Sequence, residues 1–182
     1  SNATAQNGVV KYRGNAYDLN TRQFIYSENH AEYYENGRHQ YSVVEYRDAA
    51  NKLIARKRID FANAPLRPNY RLEDKRNGFV EGSTRTSGDS FRFFTRVNGA
   101  QAMQEKTLRI PGAAVIDGGF DYYIRQNFES LMSGKNHVVN FGVAHRLTYA
   151  TFNLRKVGER TVRGRKVVDF RLTVQNWIYP QF

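Results

Sequence analysis

The sequence has no cysteine among its 182 residues. This excludes disulfide stapling and cysteine nucleophiles and leaves the compartment open. No run approaches the ~20 consecutive apolar residues that a membrane-crossing helix requires. Catalytic signatures are missing as well. Ser83, in Glu81-Gly82-Ser83-Thr84, lacks the flanking glycines of a nucleophile elbow. Gly118-Gly119 could hold an anion on free amides, but no lysine followed by Ser or Thr marks a phosphate-binding loop there. Neither an enzyme nor a bound cofactor is expected.

What the chain has is rings. Mean hydropathy is low at −0.69, yet 12 Tyr, 12 Phe and one Trp supply far more surface to bury than a disordered segment carries. Much of it alternates at period two, the mark of half-buried strands. Val168, Phe170, Leu172, Val174 and Ile178 form the cleanest such face, opposed by Asp169, Arg171, Thr173 and Gln175. Phe91, Phe93 and Val97 form another, and Leu53, Ala55, Ile59 and Phe61 a third, opposed by Arg56, Arg58 and Asp60. Val139, Phe141 and Val143, then Ala150, Phe152 and Leu154, supply two more. Asn36-Gly37, Asn77-Gly78, Asn98-Gly99 and Arg163-Gly164 are the turn pairs that join antiparallel neighbours.

One segment breaks the pattern. Over Val115–Asn136, Phe120, Ile124, Phe128 and Leu131 share a helical face, with Tyr123 and Met132 widening it. Asp117 is placed to cap the start, and Gly134 to end it. The expected fold is mainly β with one principal helix. It is a single curved antiparallel sheet, a half-barrel of about nine to eleven strands, with the helix packed on its concave face. Ser1-Asn2-Ala3 reads as a cloning scar, so one domain is expected over 4–182, starting where a removed signal peptide would leave it.

Charge is unevenly spread. The net is +11; residues 1–60 carry +2, residues 61–120 carry +3 and residues 121–182 carry +6. The excess gathers at Arg155, Lys156, Arg160, Arg163, Arg165 and Lys166, the candidate contacts for an anionic partner. Arg92 and Arg96 flank Phe94 in the manner of a basic and aromatic nucleic-acid face, although no nucleic-acid motif is present and such a partner is disfavoured. His30, Glu32, Glu35 and His39 surround one turn but lack tight ligand spacing, so no metal is expected.

Two hairpins carry a family resemblance. Gly158-Glu159-Arg160-Thr161-Val162-Arg163-Gly164-Arg165-Lys166-Val167-Val168, and Tyr46-Arg47-Asp48 with Leu53-Ile54-Ala55-Arg56-Lys57, are similar to hairpins of bacterial envelope proteins with a lipoprotein-carrier-like half-barrel and their uncharacterised periplasmic relatives. The resemblance implies a periplasmic or otherwise envelope location. It also implies a non-catalytic role, in which the curved sheet binds a lipid, another amphipathic ligand or an envelope partner protein. Phe120, Tyr123, Ile124, Phe128, Phe141, Phe152 and Phe170 are the candidate lining residues. The alternatives are a polyanion-binding module using the basic C-terminal third, and a hydrolase or metal-binding protein.

Overall fold

The computed structural model describes residues 7–177. Eight strands follow one another in an antiparallel meander: β1 (Asn7–Tyr17), β2 (Phe24–Glu35), β3 (Arg38–Arg47), β4 (Leu53–Asp60), β5 (Asn69–Asp74), β6 (Val80–Ser87), β7 (Ser90–Arg96) and β8 (Gln104–Arg109). This sheet is open. The turn pairs act as expected: Asn36 and Gly37 both take positive φ between β2 and β3, and Gly78 does so between β5 and β6.

The fold is mainly β with one principal helical segment, as the sequence indicates, but its strands belong to two sheets rather than one. After β8 the chain passes Pro111, which has no amide to donate, and turns at Gly112, where φ is +67°. It then enters β9 (Ala114–Ile116), which pairs in parallel with β10 (His137–Val143) and not with β8. β10 pairs with β11 (Thr148–Val162), and β11 with β12 (Arg165–Trp177), completing a four-stranded sheet. Asn140 holds the junction, donating from Nδ2 to the Pro111 carbonyl at 2.6 Å.

The helical segment is shorter than its pattern suggests and is interrupted. Val115 and Ile116 are strand; α1 spans Gly119–Gln126 and α2 spans Phe128–Met132. Asp117 is not the side-chain cap: Gly118 occupies that position, and Asp117 sits at φ +41° with its carboxylate turned to Lys57. Asn127 makes the break. Its backbone leaves the helical region at φ −109° and ψ 16°, while its N–H and its Nδ2 both donate to the Tyr123 carbonyl, at 3.1 and 2.9 Å. Leu131 returns to full burial, whereas Phe128, just past the break, is 45% exposed. The chain leaves α2 through Gly134 at φ +85°.

Two cores result. Phe91, Phe93, Ile110 and Ile116, all fully buried, join the large sheet to the start of the small one. Val115, Leu131, Val139 and Leu154, with Tyr123, lie between the helices and the small sheet. The helices therefore pack chiefly on the four-stranded sheet, and only the first turns of α1 reach the inner face of the eight-stranded one. Gly119 lets α1 start close against the connection between β4 and β5, since a Cβ there would stand 2.2 Å from the Leu66 carbonyl oxygen.

The C-terminal strand departs most from its pattern. Leu172 (39%) and Val174 (45%) are exposed, on β12, which forms the edge of the four-stranded sheet beside β11. Val97 lies beyond the end of β7 and is exposed too. Ile178 lies outside the described residues.

Candidate functional site

Period-two alternation sets what faces the helix. Register places Tyr12, His30, Val44, Lys57 and Leu72 in one cross-strand row, and Glu32, Ser42, Ile59, Tyr70 and Ser83 in the next. Where α1 crosses these rows a cavity of about 340 Å³ remains. Tyr12, His30, Glu32, Tyr34, His39 and Ser42 border it on one side. Val44, Ile59 and Phe61 form an apolar floor, and Asp117, Phe120, Asp121, Tyr122, Arg125 and Phe141 face them from the helix side.

The polar groups of this cleft satisfy one another. Tyr12 and Tyr34 both donate to the Glu32 carboxylate, at 3.0 and 2.8 Å. Burial and that carboxylate push the Tyr34 hydroxyl up to about 12, and raise Tyr12 for the same reasons. Tyr12 stacks on His30, whose Nε2 lies 3.0 Å from Glu28. His39 stacks between Tyr34 and Phe61, and its two ring nitrogens lie 2.6 Å from the Tyr122 hydroxyl and 2.7 Å from Ser42 Oγ. Burial lowers the His39 pKa, so at neutral pH one nitrogen donates and the other accepts.

At the centre, Lys57 donates to both oxygens of Asp117 at 3.0 Å. Burial is the largest influence and alone would lower the lysine, but Asp117, Tyr46 and Glu28 together outweigh it and the net shift is upward. Lys57 is the inward member of the row Ala55, Lys57, Ile59, the one charged residue on an apolar face, and that interruption was visible in the sequence. The pairing with Asp117, 60 residues away, was not.

No serine–histidine–carboxylate triad is assembled in this cleft among the described residues. A triad needs a carboxylate to orient the histidine and stabilise its cation. Here the Tyr122 hydroxyl takes that place, held neutral by burial, and Ser42 is 5% exposed. His30, Glu32 and His39 each have the partners just described, Glu35 is exposed at the turn, and among the described residues no three His, Cys, Asp or Glu side chains converge.

The apolar candidates are only partly brought together. Phe120, Phe141 and Phe152 form a chain of edge-to-face rings at 6.1 and 6.2 Å, and the first two of them border the cleft. Tyr123 is buried in the core under the small sheet, and Ile124 and Phe170 pack against it. Phe128 faces solvent. Of the nucleic-acid candidates, Phe94 is 8% exposed on the outer face of the large sheet beneath Arg71, and Arg96 Nε donates to the Gly78 carbonyl. The basic candidates from Arg155 to Lys166 lie far along the β11–β12 hairpin.

None of the described helices is long and apolar enough to cross a membrane. No protein-family model, curated protein or solved structure matches the chain.

Proposed function

We propose that the protein is a non-catalytic binding protein of the bacterial envelope that takes an amphipathic ligand into the cleft between the large sheet and α1. The observation that carries this reading is the cavity itself: about 340 Å³ with an apolar floor at Val44, Ile59 and Phe61 and a border of hydroxyls, imidazoles and a carboxylate. Small-molecule sites have this composition, apolar walls with a few placed polar groups, and run from about 300 to 1,000 Å³. The volume suits part of a lipid or a compact amphiphile. Tyrosine serves such a border because its ring adds area while its hydroxyl tolerates water. The open antiparallel sheet with a helix against one face is in keeping with the carrier-like resemblance of the two hairpins.

Native mass spectrometry before and after organic extraction tests the reading, together with displacement of a fluorescent fatty acid. A bound species lost on extraction is expected, with displacement weakened by Tyr34→Ala and unaffected by Phe128→Ala. A single ligand-free mass with no fatty-acid binding would sink the proposal.

A further inference from the structure

β10 pairs with β11 only as far as Leu154, opposite His137. Beyond that point β11 and β12 continue as a ribbon of two strands with no third among the described residues, closing through Arg163 and Gly164, both at positive φ. Two-stranded ribbons are marginal in water, and this one is loaded with like charge. From Arg155 to Arg171 it carries seven cations and two carboxylates, a net +5 of the chain's +11.

Both carboxylates are used inside the ribbon, Glu159 by Lys156 and Asp169 by Arg160 at 2.8 Å. Arg155, Arg163, Arg165 and Arg171 have no carboxylate within ion-pair distance among the described residues, and Lys166 has only the more distant attraction of Glu159, which Lys156 already holds. Arg155 stands directly opposite Arg171, a cross-strand like-charge pair that works against the ribbon. Val162 (37% exposed) adjoins the turn, and Val157 (44% exposed) marks an irregularity in the pairing.

We propose that this ribbon docks the protein on an anionic phospholipid surface. The unpaired cations meet headgroup phosphates, relieving the Arg155–Arg171 repulsion, and Val162 enters the interfacial layer beside them. A nucleic acid would supply the same phosphates, but single-stranded binding draws on exposed rings for stacking. Arg155–Asp169 contains no aromatic residue, and Phe170 packs toward the core beneath the helices. Apolar side chains between cations gain from a bilayer interface and gain nothing from a sugar-phosphate backbone. The inference is independent of what fills the cleft.

Co-sedimentation with vesicles tests it. Binding is expected to phosphatidylcholine vesicles containing about one third phosphatidylglycerol, weakening as salt rises, and not to pure phosphatidylcholine. The triple variant Arg163→Ser, Arg165→Ser, Lys166→Ser, at a solvent-exposed turn far from both cores, should bind on the order of 100-fold more weakly. Val162→Ser should weaken binding while leaving the salt dependence unchanged. Wild-type binding that is absent, or equal for neutral and anionic vesicles, overturns the proposal. So does binding to duplex DNA without binding to vesicles.

Discussion

Lys57 Nζ lies 3.0 Å from each carboxylate oxygen of Asp117, and this pair ties the middle of the large sheet to the entry of the helical segment. The two side chains are 18% and 16% exposed. A pair so buried is weak evidence of stabilisation, since desolvation opposes the attraction, but removing one partner strands the other. Lys57→Met is expected to destabilise by about 3 kcal/mol in urea unfolding. Asp117→Asn keeps a residue that tolerates positive φ, and adding it to Lys57→Met should restore part of the loss. If the double variant is as unstable as the sum of the two singles, the residues are not coupled.

The same groups set the response to alkali. The folded pKa of Lys57 is raised, so its contribution is complete below the unfolded value of about 10.4 and is lost as pH rises through the folded value. Tyr12, Tyr34, Tyr46, Tyr70 and Tyr122 are also raised, each chiefly by burial. Their contributions fade in the same direction above the unfolded tyrosine value of about 10. Stability from these groups should thus hold through neutral pH and fall above about pH 10. Lys57→Met should show a shallower alkaline loss, and absorbance titration of Tyr34→Phe should show one fewer late-ionising phenol. An unchanged alkaline slope in both variants would contradict the assignment.

Ser83 is 1% exposed, and its Oγ has no hydrogen-bond partner among the described residues. Register places it between Tyr70 and Phe93, and both neighbours belong to the first core. An unsatisfied buried hydroxyl costs about 1–3 kcal/mol, while alanine nearly keeps its volume. Ser83→Ala should therefore raise the melting temperature, on the order of 1 kcal/mol of added stability. A clear loss instead would mean that the hydroxyl is satisfied in solution.

Local chemistry made the large sheet legible. Phe91, Phe93, Ala55, Ile59 and Phe61 are all inward and buried, as period two requires, and Arg163-Gly164 reverses the chain as its residue types suggest. What local pattern could not carry was pairing at a distance. The strand face of Phe170, Leu172 and Val174 has the right period, but burial of that face depends on what packs across it: Phe170 meets the second core, while Leu172 and Val174 stay exposed although they lie opposite Leu154 and Phe152. The cleft was hidden for a related reason: Tyr12, Glu32, His39 and Tyr122 come from four elements, and only the sheet register and the approach of α1 bring them together.

Phe128 and Leu131 test that lesson directly. Spacing puts both on one helical face, yet the break at Asn127 leaves Phe128 45% exposed and Leu131 fully buried. Phe128→Glu should change stability by no more than about 0.5 kcal/mol, the usual range for surface substitutions. Leu131→Ala should cost about 2–5 kcal/mol. Comparable losses for the two would indicate a continuous helix with Phe128 turned inward.

His137 supplies the remaining restraint on the helices. Its Nδ1 lies 2.8 Å from the Tyr123 hydroxyl of α1, and its Nε2 lies 2.8 Å from Ser130 Oγ of α2, so one imidazole at the start of β10 holds both sides of the break. Tyr123→Phe removes one partner while keeping the ring in the core. It should cost about 1–2 kcal/mol, the loss of one buried hydrogen bond. The effect should be local: faster amide exchange in α1 and α2, with the strands of the large sheet unchanged, because their ladder does not pass through His137. Uniformly faster exchange across both sheets would instead make this contact part of the global unfolding barrier.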